Sequence, residues 1–179
     1  MKNNYIILIA GISAAGKTRF ADFLTSEMKL PLIVKDRVKK SIWDSEFYDA
    51  QEDWRCDCLA VDVSLYFAEE LMKTNVPFIF ESNFSPITAD MVNEIAKKHS
   101  YHALTVLLDA DIEILHKRVI ERDNMKPDDY YSNLERFKEG TEGFADICVG
   151  DRVTVDTADF SKVNYDDIAK QIYEWIKNC

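Results

Sequence analysis

Residues Gly11 to Thr18 have the types and spacing of a loop that binds phosphate groups. Glycines at its first and sixth positions let the backbone turn so that its N–H groups surround phosphate oxygens. Lys17 supplies a positive charge for the β- and γ-phosphates, and the Thr18 hydroxyl is a ligand for Mg²⁺. The segment therefore predicts binding of ATP, or another nucleoside triphosphate, together with Mg²⁺. The candidate nucleotide-binding residues are Gly11, Ile12, Ser13, Ala14, Ala15, Gly16, Lys17 and Thr18.

The elements on either side of this loop are those that a phosphate site requires. The apolar run Tyr5–Ala10 precedes the loop and has the character of a buried parallel strand. After the loop, apolar residues recur at helical spacing, so the phosphates would lie at a helix N-terminus, where unpaired N–H groups favour anions. The helical spacing is carried by Phe20, Phe23, Leu24 and Met28.

Strand-like apolar runs alternate with helical patterns along the whole chain. This alternation predicts a single α/β domain over residues 1–179, with a five-stranded parallel sheet between two layers of helices, which is the three-layer P-loop NTPase fold. The predicted strands are Tyr5–Ala10, Leu32–Lys35, Pro77–Glu81, Ala103–Asp109 and Arg152–Asp156.

Three later helices are predicted from apolar stripes, and we interpret all three stripes as core-facing. Ser85 and Pro86 are suited to the N-cap and first position of the second of these helices. The stripes are Leu59, Val63, Phe67 and Leu71; then Ile87, Met91, Val92 and Ile95; then Ile168, Ile172, Trp175 and Ile176.

Composition narrows the class of function. The 179 residues are 47% hydrophobic and carry a formal net charge of −10, which disfavours nucleic acid as the partner because nucleic-acid-binding proteins usually present a basic surface. The four cysteines lack the spacing of a zinc site and fit a reducing cytoplasm. No apolar run reaches membrane-spanning length, so no membrane association is expected.

Polar residues follow the second and third predicted strands, at the sheet edge where open α/β folds bind ligands. Asp36 could accept the proton of a substrate hydroxyl, although aspartate is also a favoured helix N-cap. Glu81 is placed to hold Mg²⁺ through water or to orient substrate, and Asn83, which follows it, is a candidate for binding the acceptor. Near Asp36, Arg37 and Lys40 are candidates for binding the acceptor, although a solvated helix face is an equal alternative.

Arg118 and Arg122 are four residues apart and therefore lie on one face of a predicted helix. Phosphoryl transfer needs distributed positive charge, which these arginines could supply as catalytic residues beside Lys17 and Asp36. Ion pairs with neighbouring acids are the alternative. The charged segment 124–150, interrupted by glycines and poor in apolar anchors, predicts a mobile helical lid over the nucleotide.

With these motifs, the chain resembles the small P-loop kinases that include the polynucleotide 5′-hydroxyl kinase domain, zeta-type toxins and chloramphenicol phosphotransferase. The resemblance covers nearly the whole length. It implies that Asp36 is the general base, that Arg118 and Arg122 clamp the transferring phosphate, and that Asp156 and Thr157 lie near the adenine. The family more often has aspartate where this chain has Glu81.

We expect a kinase that transfers the γ-phosphoryl group of ATP to a hydroxyl of a small-molecule acceptor. Small GTPases are excluded by the lack of an Asn-Lys-x-Asp tetrapeptide, and transport and remodelling ATPases are generally longer. Two alternatives stay open: a polynucleotide 5′-hydroxyl kinase, and a nucleotide-binding switch protein without catalytic activity. A basic groove leading to Asp36 would favour the first, and an Asp36 turned away from the nucleotide would favour the second.

Overall fold

The computed structural model describes residues 4–45 and 53–179 and confirms the predicted α/β fold. Five parallel strands form one sheet in the order β2-β3-β1-β4-β5. Within the described part of the chain, none of the helices has the length and apolar character that crossing a membrane requires. The strands are β1 (Tyr5–Ala10), β2 (Leu32–Val34), β3 (Phe78–Glu81), β4 (His102–Asp109) and β5 (Asp151–Asp156).

Helices cover both faces of the sheet. Each parallel connection crosses over through at least one helix, which places the carboxyl ends of all five strands at the same edge. The helices are α1 (Lys17–Met28), α2 (Lys35–Trp43), α3 (Asp53–Lys73), α4 (Pro86–Lys98), α5 (Ile112–Asp123), α6 (Leu134–Gly140) and α7 (Tyr165–Asn178). Over the described ranges, three short 3₁₀ turns lie at Tyr130–Ser132, Phe144–Asp146 and Phe160–Lys162.

The core is divided by the sheet into two apolar layers. The six residues of β1 are all buried, and alternate side chains enter opposite layers, as strand geometry requires. Ile7 and Ile9 pack with apolar residues of α1, α5 and α7. Ile6 and Leu8 pack on the other face with residues of α3 and α4. Burial on both faces explains why β1 is a continuous apolar run.

The predicted core stripes of α3 and α4 are wrong in part. Leu59 and Phe67 are 48% and 53% exposed, and Ile87 at the start of α4 is 74% exposed. Small residues form much of the buried faces instead, because they let these helices approach the sheet closely. The buried residues are Cys56, Ala60, Ser64, Leu65, Ala68 and Met72 of α3, with Ala89, Val92 and Ala96 of α4. The predicted stripe of α7 is confirmed at Ile168, Ile172 and Ile176.

The segment 124–150 contains α6 and two 3₁₀ turns, and it has more apolar anchors than the sequence suggests. Phe137 of α6 is buried against the rings of His116 and Tyr131. At its end, Val149 is buried and its N–H donates to Thr105 Oγ1 on β4 at 2.8 Å. The last residues before β5 are therefore fixed to β4 and the core, and the candidate lid is confined to about residues 124–146.

Candidate active site

The phosphate-binding loop connects β1 to α1 through two residues that require glycine. Gly11 has φ +139°, and a Cβ there would lie 2.2 Å from the carbonyl oxygen of Leu108 on β4. Gly16 has φ +90° and caps α1, which begins at Lys17. The first N–H groups of a helix have no partner within it, so the N-terminus of α1 can donate to phosphate oxygens.

The loop forms one wall of a cavity of about 610 Å³ at the carboxyl edge of the sheet. This nucleotide cavity brings together residues from five separate parts of the chain, including the acids after β2 and β3 and both arginines of α5. Its lining residues are Ser13, Ala14, Gly16, Lys17, Thr18, Arg19, Asp36, Glu81, Asn83, Arg118, Arg122 and Phe160.

Lys17 is a buried cation within this cavity. Lys17 is only 7% exposed, and its Nζ donates a hydrogen bond to the carbonyl oxygen of Ile12 at 3.1 Å. Burial lowers the pKa of Lys17 to about 8, against the opposing influence of the Glu81 and Asp36 carboxylates. An anionic ligand would strengthen the protonated form, since it adds negative charge where water has been removed.

Thr18 and Glu81 are placed to hold a divalent cation. The Thr18 hydroxyl donates to Glu81 Oε2 at 3.1 Å, so two oxygen donors from α1 and β3 meet beside the loop. Burial raises the pKa of Glu81, although the charge of Lys17 opposes this effect. Mg²⁺ binds through oxygen, usually with few protein ligands and several waters or phosphates, so this donor set fits it. No larger cluster of metal-ligating side chains occurs among the described residues.

Asp36 lies in the first turn of α2 and faces the nucleotide cavity. Val34 is the residue at the N-cap, so the structure does not give Asp36 the capping role considered from the sequence. The Asp36 side chain is 63% exposed, and its Oδ1 lies 2.7 Å from Lys35 Nζ. Partial burial raises its pKa, but the hydrogen bond from Lys35 and the nearby lysine charges outweigh this and hold the pKa below its usual value. Asp36 is therefore ionised at neutral pH.

Arg118 fixes the loop that follows β5. Its Nη2 donates to the carbonyl oxygens of Thr157 and Ala158 at 2.8 and 2.9 Å, and its guanidinium stacks over the Phe160 ring at 4.1 Å. Its Nη1 is buried without a hydrogen-bond partner among the described residues. Arg118 thus has a structural role in this loop, and its guanidinium also lines the nucleotide cavity.

Arg122 reaches the same cavity but has a carboxylate partner. Its Nε and Nη2 donate to the two oxygens of Asp123 at 2.7 and 2.8 Å, a bidentate pair. This hydrogen bond raises the pKa of Arg122 above its ordinary value. To bind a phosphate, the Arg122 guanidinium would have to contact the phosphate and Asp123 together, or break its pair with Asp123.

The other predicted residues are distributed unevenly around the cavity. Asn83 lines it, whereas Arg37 and Lys40 do not and pair instead with Asp22 and Asp44, at 2.7 and 2.9 Å. The first of these pairs is tertiary, between α2 and α1, and the second joins residues one helical turn apart at the end of α2. Asp156 and Thr157 lie just outside the lining: Asp156 accepts from the N–H of Ala158, and Thr157 donates to the carbonyl oxygen of Asp109.

Two lining residues, Arg19 and Phe160, were not identified from the sequence. Arg19 follows the phosphate-binding loop directly, and this adjacency is a signal that could have found it. Phe160 has no such signal, because it reaches the loop only through the fold: a Cβ on Gly16 would lie 2.7 Å from its ring. Lys35 is a further residue of interest, since its Nζ joins Asp36 to Asp57, 2.7 and 3.4 Å away.

The five-stranded sheet and the Gly11–Thr18 loop define a small P-loop protein with the nucleoside-kinase-like fold. A model of the AAA domain family matches residues 6–147, and the chain belongs to this family. Its sequence matches none of the curated proteins.

Solved structures from several bacteria share the fold. A candidate kinase from Chloroflexus aurantiacus has a TM-score of 0.81 at 20% identity, covering 99% of this chain and 98% of that one. A gluconokinase from Sinorhizobium meliloti has a TM-score of 0.58 at 16% identity, with 95% and 90% covered. A shikimate kinase from Bacteroides thetaiotaomicron has a TM-score of 0.59 at 13% identity, with 97% and 98% covered. At these identities the likeness is one of fold.

Proposed function

We propose that this protein is an ATP- and Mg²⁺-dependent kinase that transfers the γ-phosphoryl group to a hydroxyl of a small-molecule acceptor. The observation that carries the proposal is the content of the nucleotide cavity. Lys17, the Thr18 and Glu81 pair, and Asp36 line the same 610 Å³ space as Arg118 and Arg122. A phosphate-binding lysine, two metal-compatible oxygens, a carboxylate and two arginines are the groups that phosphoryl transfer requires.

Each group has a role that follows from its position. The loop N–H groups and Lys17 would hold the phosphates, while Thr18 and Glu81 would hold Mg²⁺, which neutralises phosphate charge when bound. Asp36 would orient the acceptor hydroxyl and receive its proton. The hydroxyl oxygen forms a bond to the γ-phosphorus, the bond to the bridging oxygen breaks, and ADP leaves. The low pKa of Asp36 is compatible with this role, because a loose transition state depends more on positioning than on a strong base.

The fold supports the small-molecule acceptor. The gluconokinase and the shikimate kinase are kinases of small molecules by name, and they share this fold over nearly their whole length. The acidic net charge of −10 also disfavours an oligonucleotide acceptor. The ion pairs of Arg37 and Lys40 further reduce the positive charge available near Asp36.

An acceptor screen tests the proposal. ADP release from ATP and Mg²⁺ would be measured against nucleosides, sugars, antibiotics and oligonucleotides, with the Lys17→Ala protein as the blank. We expect one or more small molecules to raise ADP release well above the rate without acceptor, and Lys17→Ala to abolish the increase. Tight ATP binding with no acceptor-stimulated release would contradict the kinase and favour a nucleotide-binding switch protein. Stimulation by oligonucleotides alone would favour a polynucleotide kinase.

A further inference from the structure

A second cavity opens beside the nucleotide cavity and shares Asn83 with it. This side cavity, of about 370 Å³, lies between residues 57–62 of α3 and residues 82–91, which form the turn after β3 and the start of α4. Lys35, the ion-pair partner of Asp36, also lines it. A molecule in the side cavity could therefore place one end beside Asp36, which is where an acceptor hydroxyl must lie.

The loop that separates the two cavities is held in a fixed shape. Phe84 has a left-handed φ of +51°, which a bulky residue rarely adopts. Its N–H donates to Ser82 Oγ at 3.3 Å, and its ring packs edge to face on Phe80, 5.0 Å away. These contacts hold the preceding residue, Asn83, between the cavities. Its amide has no hydrogen-bond partner among the described residues, so it can both donate to and accept from a ligand hydroxyl.

Charges in the side cavity disfavour an anionic ligand. Lys35 is its one lysine or arginine among the described residues, and its Nζ is shared between Asp36 and Asp57. Asp57 also pairs with Lys39 at 2.8 Å. Asp62, an exposed residue of the lining, has no ion-pair partner in the described part of the chain. A carboxylate or phosphate here would lose water without gaining an unpaired cation, and it would meet the negative charge of Asp62.

Hydroxyls and apolar side chains make up much of the remaining lining. Ser85 and Thr88 contribute hydroxyls that already contact each other at 3.0 Å. Ile87 and Met91 of α4 lie on the same wall and are 74% and 39% exposed, while Phe144 extends the apolar surface. These two α4 residues belong to the stripe predicted as core, and an apolar ligand face would cover them.

From this lining we propose that the acceptor is a neutral or amine-bearing polyhydroxy compound with one apolar face, held in the side cavity, and not an acid or a phosphorylated compound. The inference rests on the proposed kinase function for the reaction and on the side cavity for the acceptor. Asn83 and the hydroxyls bind the polar side, Ile87 and Met91 bind the apolar face, and Asp62 favours an amine. Gluconate and shikimate, which are carboxylates, are therefore expected to be poor acceptors.

Two measurements with one panel of compounds test this proposal. The panel contains glucose, glucosamine, phenyl glucoside, gluconate, shikimate and glucose 6-phosphate, representing neutral, cationic, apolar and anionic forms. The first measurement is ADP release with ATP and Mg²⁺. The second is the rate of alkylation of Cys58, which is exposed and lines the side cavity, relative to the exposed Cys148 outside that lining. Peptide mass spectrometry separates the two thiols, and Cys148 serves as the internal control.

We expect phenyl glucoside and glucosamine to protect Cys58 selectively and to raise ADP release, and the three anions to do neither. Asp62→Asn should lower kcat/KM for glucosamine about three- to fivefold relative to phenyl glucoside, the scale of an exposed ion pair. Asp90→Asn is the matched control, because Asp90 is an exposed acid of α4 outside the cavity lining. Ile87→Ser should lower kcat/KM for phenyl glucoside more than for glucosamine.

The outcomes separate the acceptor proposal from the kinase proposal. Protection of Cys58 by the non-acidic compounds without ADP release would support the side cavity as their site and contradict the kinase. Turnover or protection that is as strong with gluconate, shikimate or glucose 6-phosphate would overturn the acceptor class while the kinase stands. Failure of every compound to protect Cys58 would overturn the side cavity as the acceptor site.

Discussion

The burial of Lys17 predicts that nucleotide binding weakens sharply above pH 8. Removal of its ammonium from water lowers the pKa of Lys17 from 10.5 to about 8. At about 1.4 kcal/mol for each pKa unit, burial costs the protonated form about 3 kcal/mol in the free protein. A bound triphosphate would reverse this effect because its charges stabilise the ammonium. The complex therefore has the higher pKa, and affinity falls as pH rises through the pKa of the free protein.

The size of the effect follows from the two pKa values. If bound phosphates restore the pKa of Lys17 to its ordinary 10.5, the dissociation constant should rise about twentyfold between pH 7.5 and pH 9.5. Titration of a fluorescent ATP analogue at constant ionic strength would measure it, with a chelator present so that metal hydrolysis plays no part. At pH 7.5 the terminal phosphate is already ionised, so its own titration contributes little.

Two variants distinguish Lys17 from other groups that titrate in this range. Lys17→Arg keeps its charge throughout, so its affinity should change little with pH. Lys17→Met should bind weakly at every pH. Circular dichroism at each pH would show that the proteins stay folded. A dissociation constant for the unmodified protein that changes less than twofold, or the same rise in Lys17→Arg, would refute the reasoning.

The remaining predictions concern the metal ligand, the base, the clamp and the lid. Thr18→Ala removes a hydroxyl ligand and should raise the Mg²⁺ concentration for half-maximal activity about tenfold. Its effect on metal-free ATP binding should be smaller. An unchanged Mg²⁺ titration would argue against Thr18 as a metal ligand. Asp36→Asn should lower kcat by about 10² to 10⁴ with little change in the KM for ATP, and a fall in thermal stability without that loss would leave Asp36 a structural role. Arg122→Ala should reduce kcat more than it reduces ATP affinity. Arg122→Lys should recover only part of the lost kcat, since lysine lacks the planar guanidinium group of arginine. Equal turnover in the unmodified protein and both variants would show that Arg122 serves only its ion pair with Asp123. Hydrogen exchange over residues 124–146 should slow when a non-hydrolysable ATP analogue and acceptor are added. The segment 147–150 should exchange slowly even in the free protein. If residues 124–146 also exchange slowly in the free protein, the region is a fixed insertion and not a lid.

The nucleotide half of the site was predictable because its chemistry and its backbone geometry are encoded in one short segment. Gly11 and Gly16 adopt left-handed conformations that other residues rarely adopt, and Lys17 and Thr18 follow them directly. The inner strands β1, β3 and β4 were predictable for a similar reason, since a parallel strand buried on both faces must be a continuous apolar run, as β1 is. In both cases the local sequence contains the whole signal.

Ion pairs and exposed helix faces were not predictable in the same way, because they depend on residues brought together only by folding. From the sequence, Arg37 was a candidate for binding the acceptor, but in the fold its Nη2 lies 2.7 Å from Asp22 Oδ1 of α1. The stripe containing Leu59 and Phe67 has the spacing of a core face, but the face of α3 that packs against the sheet carries Leu65, Ala68 and Met72 instead. Periodicity shows that a helix has an apolar side and does not show which side the neighbouring element covers.

The proposed acceptor half of the site is built differently from the nucleotide half, and this difference explains why the acceptor could not be identified from the sequence. Its lining comes from α2, α3, the turn after β3, the start of α4 and the candidate lid, and no segment of it forms a motif. The two halves meet at Asn83 and at the Lys35 contact between Asp36 and Asp57. A substitution in the side cavity can therefore change the acceptor while leaving the phosphate-binding loop intact. On this proposal the side cavity, and not the loop, has to be examined to identify the substrate.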